Sequence, residues 1–454
     1  MKSFLQKLKN NQRGNVIILT AAAMPLLIGS AGLATDTIQW ALWKRQLQRA
    51  ADSAAIAGVY DRLQSGTMAT VTTAVAKDLE INQKTGIVLS GTPTISWPGD
   101  TGVMVKQVKV VLRLQRRLAF SSMFLQTDPT IAAAATAASV PGSEEFCVVA
   151  LESTSAMGIQ TSGNGAVETD CSWMTNSRST TAAVAKGSSR VKADVLAAAG
   201  GITQSANFTV TRYDPYSPAI NDPYANLAPD PADMNCATEI ARVNGNMVTR
   251  TVALTEDSVM SNYFAVGGIG LTQTKNCFAS ISVGSNKTLT LPAGVYYIDA
   301  GNVNVQGTLL GNGVTIVLTN TSAAASGVTI GTVDANASGN MLITAPTSGK
   351  WAGMAIYQDR RATDVSTPGA GQMNSSAPNK INGNSNSGIT GVLYFPNQQL
   401  TYNGNGASAF RCTQVVARRV QFSGTSDMKL TDKAGCVGTG VEPVEGGVRV
   451  RLVA

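Results

Sequence analysis

The stretch Val16-Ile-Ile-Leu-Thr-Ala-Ala-Ala-Met-Pro-Leu-Leu-Ile-Gly-Ser-Ala-Gly-Leu-Ala-Thr35 decides where the rest of the chain is placed, because it carries no charged side chain. As a helix, its 20 residues would measure about 30 Å, which is enough to cross the hydrocarbon of a bilayer. Four basic residues and no acid precede it: Lys2, Lys7, Lys9 and Arg13. The positive-inside bias therefore predicts a single-pass inner-membrane anchor with a cytoplasmic N-terminus and a periplasmic or extracellular chain beyond Asp36.

The same segment is also compatible with a cleaved secretory signal, in which Gly32-Leu-Ala34 would supply the small residues of a cleavage site. The apolar pattern does not stop there, however. It continues with a rough helical period through Ile38, Leu42, Leu47, Ala51 and Ala54. An uncleaved anchor is therefore favoured.

Small residues recur every fourth position beyond the apolar run, at Ala50, Ala54 and Gly58. One face of the helix thus has almost no side-chain bulk, so another backbone can approach it closely. Two partners fit this helix-packing stripe equally well: the protein's own first domain, or a second subunit in a self-associated form.

The residues Arg13-Gly-Asn-Val, the apolar run and Gln48-Arg-Ala-Ala-Asp-Ser-Ala-Ala-Ile-Ala-Gly58 follow one another at close spacing. This order resembles the N-terminal module of TadE/TadG-like proteins of the bacterial tight-adherence (Flp) pilus system. The resemblance implies an inner-membrane envelope protein with a structural or adhesive role in pilus assembly, whose partners are other pilus assembly proteins.

Two features of the family are not matched. Prepilin-like members are cut after a glycine and carry a glutamate soon afterwards, whereas Gly14 is followed by no acid before Asp36. We therefore do not expect processing at Gly14 or pilin-like polymerisation. Other TadG proteins carry a metal site of Asp-x-Ser-x-Ser type, and the nearest string here, Glu152-Ser-Thr-Ser-Ala156, lacks the aspartate and the final serine. No metal site is expected there.

Composition favours repetitive β structure in most of the 454 residues, since aromatics make up 6%, charged residues 14%, and 44 residues are glycine. Residues 1–143 hold 15 of the 35 basic residues and 7 of the 28 acidic ones, a net of +8. The remainder has a net charge of −1 and no basic patch interleaved with aromatics. Nucleic acid is therefore not an expected partner.

Six cysteines are present, none of them in a CxxC pair: Cys147, Cys171, Cys236, Cys277, Cys412 and Cys436. An even number in an exported chain favours disulfides over a metal site. Of the fifteen or so possible connectivities, pairing in sequence order would close loops of 24, 41 and 24 residues. Free buried thiols are the alternative.

We expect three parts along the chain: residues 1–60 as the basic flank, anchor and small-residue helix, 61–142 as a small α+β domain, and 143–454 as a β domain. The elements expected in the second part are a helix at Thr67–Lys77, a strand at Val103–Leu114, a short helix at Ala119–Leu125 and a strand at Thr130–Val140.

The third part is rich in Gly, Asn and Ser, with a proline-rich loop at 213–235. Its short apolar runs follow one another closely, for example Val295–Ile298, Val303–Val305, Val314–Leu318, Val328–Ile330 and Met341–Ile343. Such runs, separated by Asn/Gly corners, predict a parallel β-helix, a β-solenoid in which each turn buries its apolar face against the next. An antiparallel β-sandwich or barrel is the alternative.

The chain contains no histidine, which excludes Ser-His-Asp triads and histidine zinc sites. The enzymatic alternative is a membrane-tethered β-helix carbohydrate-active enzyme working through carboxylates and a basic residue. Its candidate groups are Asp299, Asp359, Arg360, Arg361 and Asp364. These charges lie mainly in a polar loop, where solvated side chains are the ordinary case. We therefore expect no catalytic residue, no cofactor and no enzymatic activity.

Overall fold

The structure is a computed structural model. It describes residues 13–64, 66–82, 88–243, 246–256, 264–267, 270–364, 368–374, 376–383, 388–404, 412–424, 428–431 and 433–453. The basic residues Lys2, Lys7 and Lys9 lie outside these ranges. The chain divides into two compact units, Met1–Pro141 with Val448–Ala454, and Gly142–Gly447.

Within the described residues, the first unit has two helices and a four-stranded sheet. Helix α1 spans Arg13–Gln64 and helix α2 spans Met68–Asn82. With strands numbered along the chain, the sheet consists of β1 (Thr94–Ser96), β2 (Val105–Gln115), β3 (Thr130–Pro141) and β31 (Val448–Leu452), in that order, with every neighbouring pair antiparallel. A single 3-10 turn, Ser121–Met123, lies between β2 and β3.

The sheet packs on the helices because β2 and β3 each have an apolar face. On β2, the side chains of Val108, Val110, Leu112 and Leu114 are buried and those of Lys109 and Arg113 are exposed. On β3, burial alternates from residue 130 to 135, and residues 136–139 are all buried; the small alanine side chains of this strand leave room for α1 and α2 to pack closely. The helix and strands expected from the sequence are present with shifted ends, and the helix expected at Ala119–Leu125 is only the 3-10 turn.

The final strand differs from the sequence-based division, which gave residues 143–454 to one domain. Val448-Arg-Val-Arg-Leu452 pairs with β3, from Pro141↔Val448 to Ala137↔Leu452. The reason is its alternation: Val450 packs on the hydrophobic cluster of the first unit. This pattern suits a sheet-edge strand with one apolar face.

The described residues of the second unit are almost entirely β, with one short helix among them, α3 (Lys433–Cys436), and a 3-10 turn at Pro231–Asp233. Its strands are β4 (Glu145–Ala150), β5 (Ile159–Thr161), β6 (Ala166–Thr169), β7 (Ser172–Thr175), β8 (Ala183–Ala185), β9 (Arg190–Ala198), β10 (Phe208–Asp214), β11 (Thr238–Val243), β12 (Asn246–Thr251), β13 (Ala253–Leu254), β14 (Phe264–Gly267), β15 (Gly270–Gln273), β16 (Cys277–Phe278), β17 (Ser280–Val283), β18 (Thr288–Leu291), β19 (Gly294–Asp299), β20 (Val303–Val305), β21 (Thr308–Asn312), β22 (Val314–Thr319), β23 (Val333–Ala335), β24 (Asn340–Thr344), β25 (Met354–Gln358), β26 (Asn379–Gly383), β27 (Gly388–Gly404), β28 (Thr413–Ser423), β29 (Met428–Thr431) and β30 (Val444–Glu445).

Most of these strands pair in parallel, each with the third strand along the chain: β16 with β19, β19 with β22, and β22 with β25. The strands β17, β20, β23 and β26 form a second such ladder, and β18, β21 and β24 form a third, which β27 continues. Only the hairpins β11–β12 and β14–β15 and the pair β30–β4 are antiparallel among the described strands of this unit. An antiparallel sandwich therefore does not describe these strands.

The core of the second unit is built from columns of apolar residues at matching register. One column runs through Tyr296, Ile316, Ile356, Leu393, Val415, Val148, Trp173 and Leu196, all buried. In this column β4 lies between β28 and β7, so the earliest strand of the unit stands in the middle of the ladder.

That strand order requires a return connection, because β9 and β10 end one side of the ladder and β13 and β16 begin the other. The proline-rich residues 213–235, named here the strap, make this crossing. They contact Asn176 after β7, Gln414 on β28, Tyr357 on β25 and Asn276 before β16 in turn. The strap thus lies across the successive strands of one sheet.

One expected strand is absent from its place. Val328–Ile330 has no strand conformation, and the neighbouring strand is β23. The residues in register with Val303–Val305 of β20 are Val333–Ala335, so the ladder is formed by these. Between the two segments, a Cβ on Gly331 would overlap the carbonyl oxygen of Gly301, so the backbones approach closely at this corner.

Three disulfides join the cysteines in sequence order, Cys147–Cys171, Cys236–Cys277 and Cys412–Cys436. No cysteine is free. All three lie within Gly142–Gly447.

Candidate functional sites

Helix α1 has two halves with opposite exposure. From Leu19 to Leu42 its large apolar side chains face outward, with Leu26 at 76% and Leu33 at 56% exposure. From Leu47 to Val59 its small and apolar residues are buried. The helix is long and apolar enough to cross a membrane, so it could anchor the protein there.

The small-residue stripe lies in the buried half. Ala50 and Ala54 are buried, and a Cβ built on Gly58 would come within 2.8 Å of Val108 Cγ1 and 3.3 Å of Val75 Cγ2. The backbone of α1 therefore approaches β2 and α2 as closely as glycine permits. Of the two partners open at the outset, the protein's own first unit occupies the stripe, so these atoms are not available to a second subunit.

Asp36, the first charged residue after the apolar run, is 3% exposed and binds the backbone of the segment between β2 and β3. Its carboxylate accepts hydrogen bonds from the backbone N–H of Phe120, at 3.0 and 3.1 Å, and from that of Ser121. One turn earlier on the helix, a Cβ on Gly32 would overlap the ring of Phe120. Asp36 and Gly32 together fix the 3-10 turn beside the last turn of the apolar run.

The strap takes part in a cluster of polar side chains in the second unit. Asp222 accepts from the Tyr394 hydroxyl at 2.6 Å and pairs with Arg360 at 3.0 Å, while Arg360 also donates to the Leu227 and Tyr224 carbonyl oxygens. Burial, together with the hydrogen bond to Asp222, raises the pKa of Tyr394. The hydroxyl thus stays protonated and serves as a donor.

A second cluster is an ion network of Glu152, Asp364, Arg418 and Arg419. Arg419 is fully buried and pairs with Glu152 and Asp364 at 2.6 Å each, and Arg418 lies 3.0 Å from Glu152. Burial alone would raise the pKa of Glu152, but hydrogen bonds from Thr154 and the two arginines outweigh it and hold the pKa below its usual value. With both carboxylates neutralised by guanidinium groups, the Glu152-Ser-Thr-Ser-Ala156 string offers no free negative charge to a metal ion.

The residues of the enzymatic alternative are engaged with different partners. Asp359 pairs with Arg361 at 2.7 Å and accepts from the Thr319 hydroxyl at 2.7 Å. Burial opposes its ionisation, yet the hydrogen bonds from Arg361 and Thr319 hold the pKa of Asp359 below its usual value. Asp299 accepts from the backbone N–H of Thr321 at 2.8 Å.

Asp299 also lies near Cys236 and Cys277, the one group of potential metal ligands found among the described residues. Those two cysteines form a disulfide. Since the thiolate is the form that binds a metal, the group has only a single carboxylate to offer. It therefore does not make a metal site.

A cavity of about 590 Å³ in the second unit is lined by the disulfides Cys147–Cys171 and Cys412–Cys436, with Glu145, Gln414 and Glu442. Its size suits a small molecule. The disulfide sulfurs supply neither a nucleophile nor a metal ligand, so the lining does not specify a chemistry.

Sequence reasoning did not find Asp36, the Asp222 cluster or the Glu152 network. A signal existed only for Asp36, as the first charge after a long uncharged run. The partners in the other two clusters are separated by 138 and 267 residues, and no local pattern joins them.

Residues 14–62 match the family model described as putative Flp pilus-assembly TadE/G-like. This range covers most of α1, including the exposed apolar half, Asp36 and the small-residue stripe. No curated protein and no solved structure matches the chain.

Proposed function

We propose that the chain is an inner-membrane envelope protein that serves assembly of the tight-adherence (Flp) pilus in a structural or adhesive role. One observation supports the proposal most strongly: the family match at 14–62 covers a helix with two different halves. One half is apolar and exposed, and the other half packs on the sheet of the first unit. A helix of this kind holds a folded unit at a membrane surface.

The orientation follows from the charges flanking the apolar run. Four basic residues precede it, and both folded units follow it, so the N-terminus is cytoplasmic and the folded units lie outside the inner membrane. The three disulfides support this orientation, because such bonds persist in oxidising compartments.

For the second unit we infer a β-helix that acts as a non-catalytic scaffold. Parallel pairing of each strand with the third one along, and the apolar columns, support the β-helix. Within the part of the chain that the structure describes, every residue of the enzymatic alternative has a structural partner: Asp299, Asp359, Arg360, Arg361 and Asp364. This arrangement favours the scaffold over a carbohydrate-active enzyme.

The proposal is tested by deleting the gene and complementing it with the full chain. Loss of surface pili on deletion, restored by complementation, would support a structural role in assembly. Loss of surface attachment with normal pili would support an adhesive role. Normal pili and normal attachment after deletion would contradict the proposal.

Two further measurements separate the finer points. Protease added to cells with a permeabilised outer membrane should degrade the chain beyond Asp36, and protection of Gly142–Gly447 would overturn the orientation. The purified full chain should release no fragments from envelope polysaccharides. If it did, and if release were lost in Asp299→Asn protein with unchanged melting temperature, the enzymatic reading would replace the scaffold.

A further inference from the structure

The segment between β2 and β3 exposes three consecutive large apolar side chains. Met123, Phe124 and Leu125 are 75%, 73% and 51% exposed. Contiguous apolar surface of this kind on a folded unit marks a contact with another phase or another molecule.

The position of this segment along α1 is fixed by two contacts. The Asp36 carboxylate binds the backbone of Phe120 and Ser121, and the ring of Phe120 lies against Gly32. The ring of Phe124 lies 5.4 Å from that of Phe120. The exposed apolar residues therefore lie next to the last turn of the apolar run.

The same level of the helix has the features of a membrane–water boundary. Asp36 is about 30 Å along the helix from Val16, the thickness of the hydrocarbon. Trp40 and Trp43 follow within two turns, and aromatic residues of this type concentrate at the interface. Arg116 lies over the Trp43 ring at 4.7 Å, and Arg117 beside it is exposed. These two cations suit the phosphates of lipid headgroups.

We propose that residues 118–125 form a second membrane contact, in which Met123, Phe124 and Leu125 enter the outer leaflet of the bilayer that α1 crosses. The inference rests on the membrane anchoring proposed above. The occupant of the patch is lipid rather than protein because the patch continues the exposed apolar surface of α1, which must itself be covered by lipid. With two contacts on one bilayer, the first unit is held at a fixed orientation rather than swinging on a single helix.

The test uses the fact that all six cysteines are in disulfides, so an introduced cysteine is the one free thiol. Four full-length variants are labelled with an environment-sensitive fluorophore and reconstituted in vesicles of phosphatidylethanolamine and phosphatidylglycerol: Phe124→Cys, Met123→Cys, Leu33→Cys and Val103→Cys. Leu33 reports on the anchor. Val103 is 66% exposed and lies in the turn just before β2, so the length of β2 separates it from the segment by roughly 30 Å at about 3.3 Å per residue.

Quenching by nitroxide-labelled phospholipid should remove most of the emission from the labels at 124, 123 and 33 and little from the label at 103. A label at Leu33 that is quenched while those at 124 and 123 are not would overturn the inference and leave the anchor standing. If the label at 33 is not quenched either, both the second membrane contact and the proposed membrane anchor are contradicted.

Two other results count against the inference. Labels at 124 and 123 that are shielded from aqueous iodide but not quenched by lipid would mean that a protein, such as a second copy, covers the patch. Equal lipid quenching at 103 would mean that the whole unit lies on the membrane and that the segment is not a distinct contact. The label at Met123 guards against loss of the Phe120–Phe124 ring contact in the Phe124 variant.

Discussion

Replacing Ala54 with leucine should destabilise the first unit and leave the second unchanged. Ala54 is fully buried in a cluster with Ala133 and Ala135, where helix and strand both present alanine. One turn further on, the approach is so close that a single carbon on Gly58 would lie 2.8 Å from Val108 Cγ1. Three added carbon atoms therefore have no space without moving α1.

The expected cost follows from that geometry. Overpacking a filled core costs about 1–3 kcal/mol. The difference in helix propensity between alanine and leucine is smaller, only about a few tenths of a kcal/mol. We therefore expect a loss of about 1–3 kcal/mol, which lowers the melting temperature of a unit of this size by roughly 2–12 °C. Where exchange follows local unfolding, the same loss raises amide exchange rates by about 5- to 150-fold.

Hydrogen exchange by mass spectrometry separates the two units in one experiment. Peptides from β2 and β3 report on the first unit, and those from β19 and β22 serve as an internal reference in the second. Ala76→Leu is the matched control, since it makes the same chemical change at an exposed position of α2. We expect it to shift stability by no more than about 0.5 kcal/mol.

Unchanged exchange of β2 and β3 in the Ala54→Leu protein would refute the reasoning, because it would mean that the stripe is not in contact with the sheet. Equal loss of protection in β19 and β22 would also contradict it, since the effect would then be global rather than a local packing defect.

Four further outcomes concern the second unit. The pKa of Glu152 is lowered in the folded state. The stability that this ionised carboxylate contributes is therefore complete above the ordinary carboxyl pKa and is lost as the pH falls through the lowered pKa. We expect the urea concentration at the unfolding midpoint to decrease when the pH is taken below about 4. Arg419→Met removes the fully buried cation of Glu152 and Asp364 and leaves them only the partly exposed Arg418 of the network. The loss should approach about 3–5 kcal/mol in urea unfolding; a change below about 1 kcal/mol would contradict the network. Arg360→Met should speed proteolysis within the strap, while Lys350→Met, which removes an exposed ion pair with Asp233 and a cation–π contact with Trp351, should not. Reduction should remove about 3–4 kcal/mol of stability for each disulfide by the loop-entropy argument and should lower the melting temperature of the second unit only. If the amide exchange rates of β2 and β3 rose as much as those of the second unit, this prediction would be wrong.

The elements that local pattern specifies could be predicted. The alternation of buried and exposed residues from Val108 to Gln115 and the uncharged run of α1 can each be recognised in a short stretch of sequence. The failures are non-local. Val328–Ile330 has the composition of a strand, yet it is Val333–Ala335 that pairs with Val303–Val305 of β20.

The order of the second unit could not be predicted either. The pairing Val415↔Val148 joins residues from opposite ends of the unit, and apolar runs of similar length and composition offer many alternative neighbours. The Asp222–Arg360 pair could not be predicted either, because its two residues lie far apart in the sequence and no local motif connects them. Such contacts form only after the strap has crossed the ladder.

The pairing of β31 with β3 has a consequence for how the protein is made. The ribosome makes all of Gly142–Gly447 between these two strands, which takes about 15–60 s at about 5–20 residues per second. For that time β3 is an unpaired edge, a template for pairing with the wrong chain. A nonsense mutation or a failed fusion near residue 447 would thus damage the first unit, although that unit is otherwise encoded before residue 142.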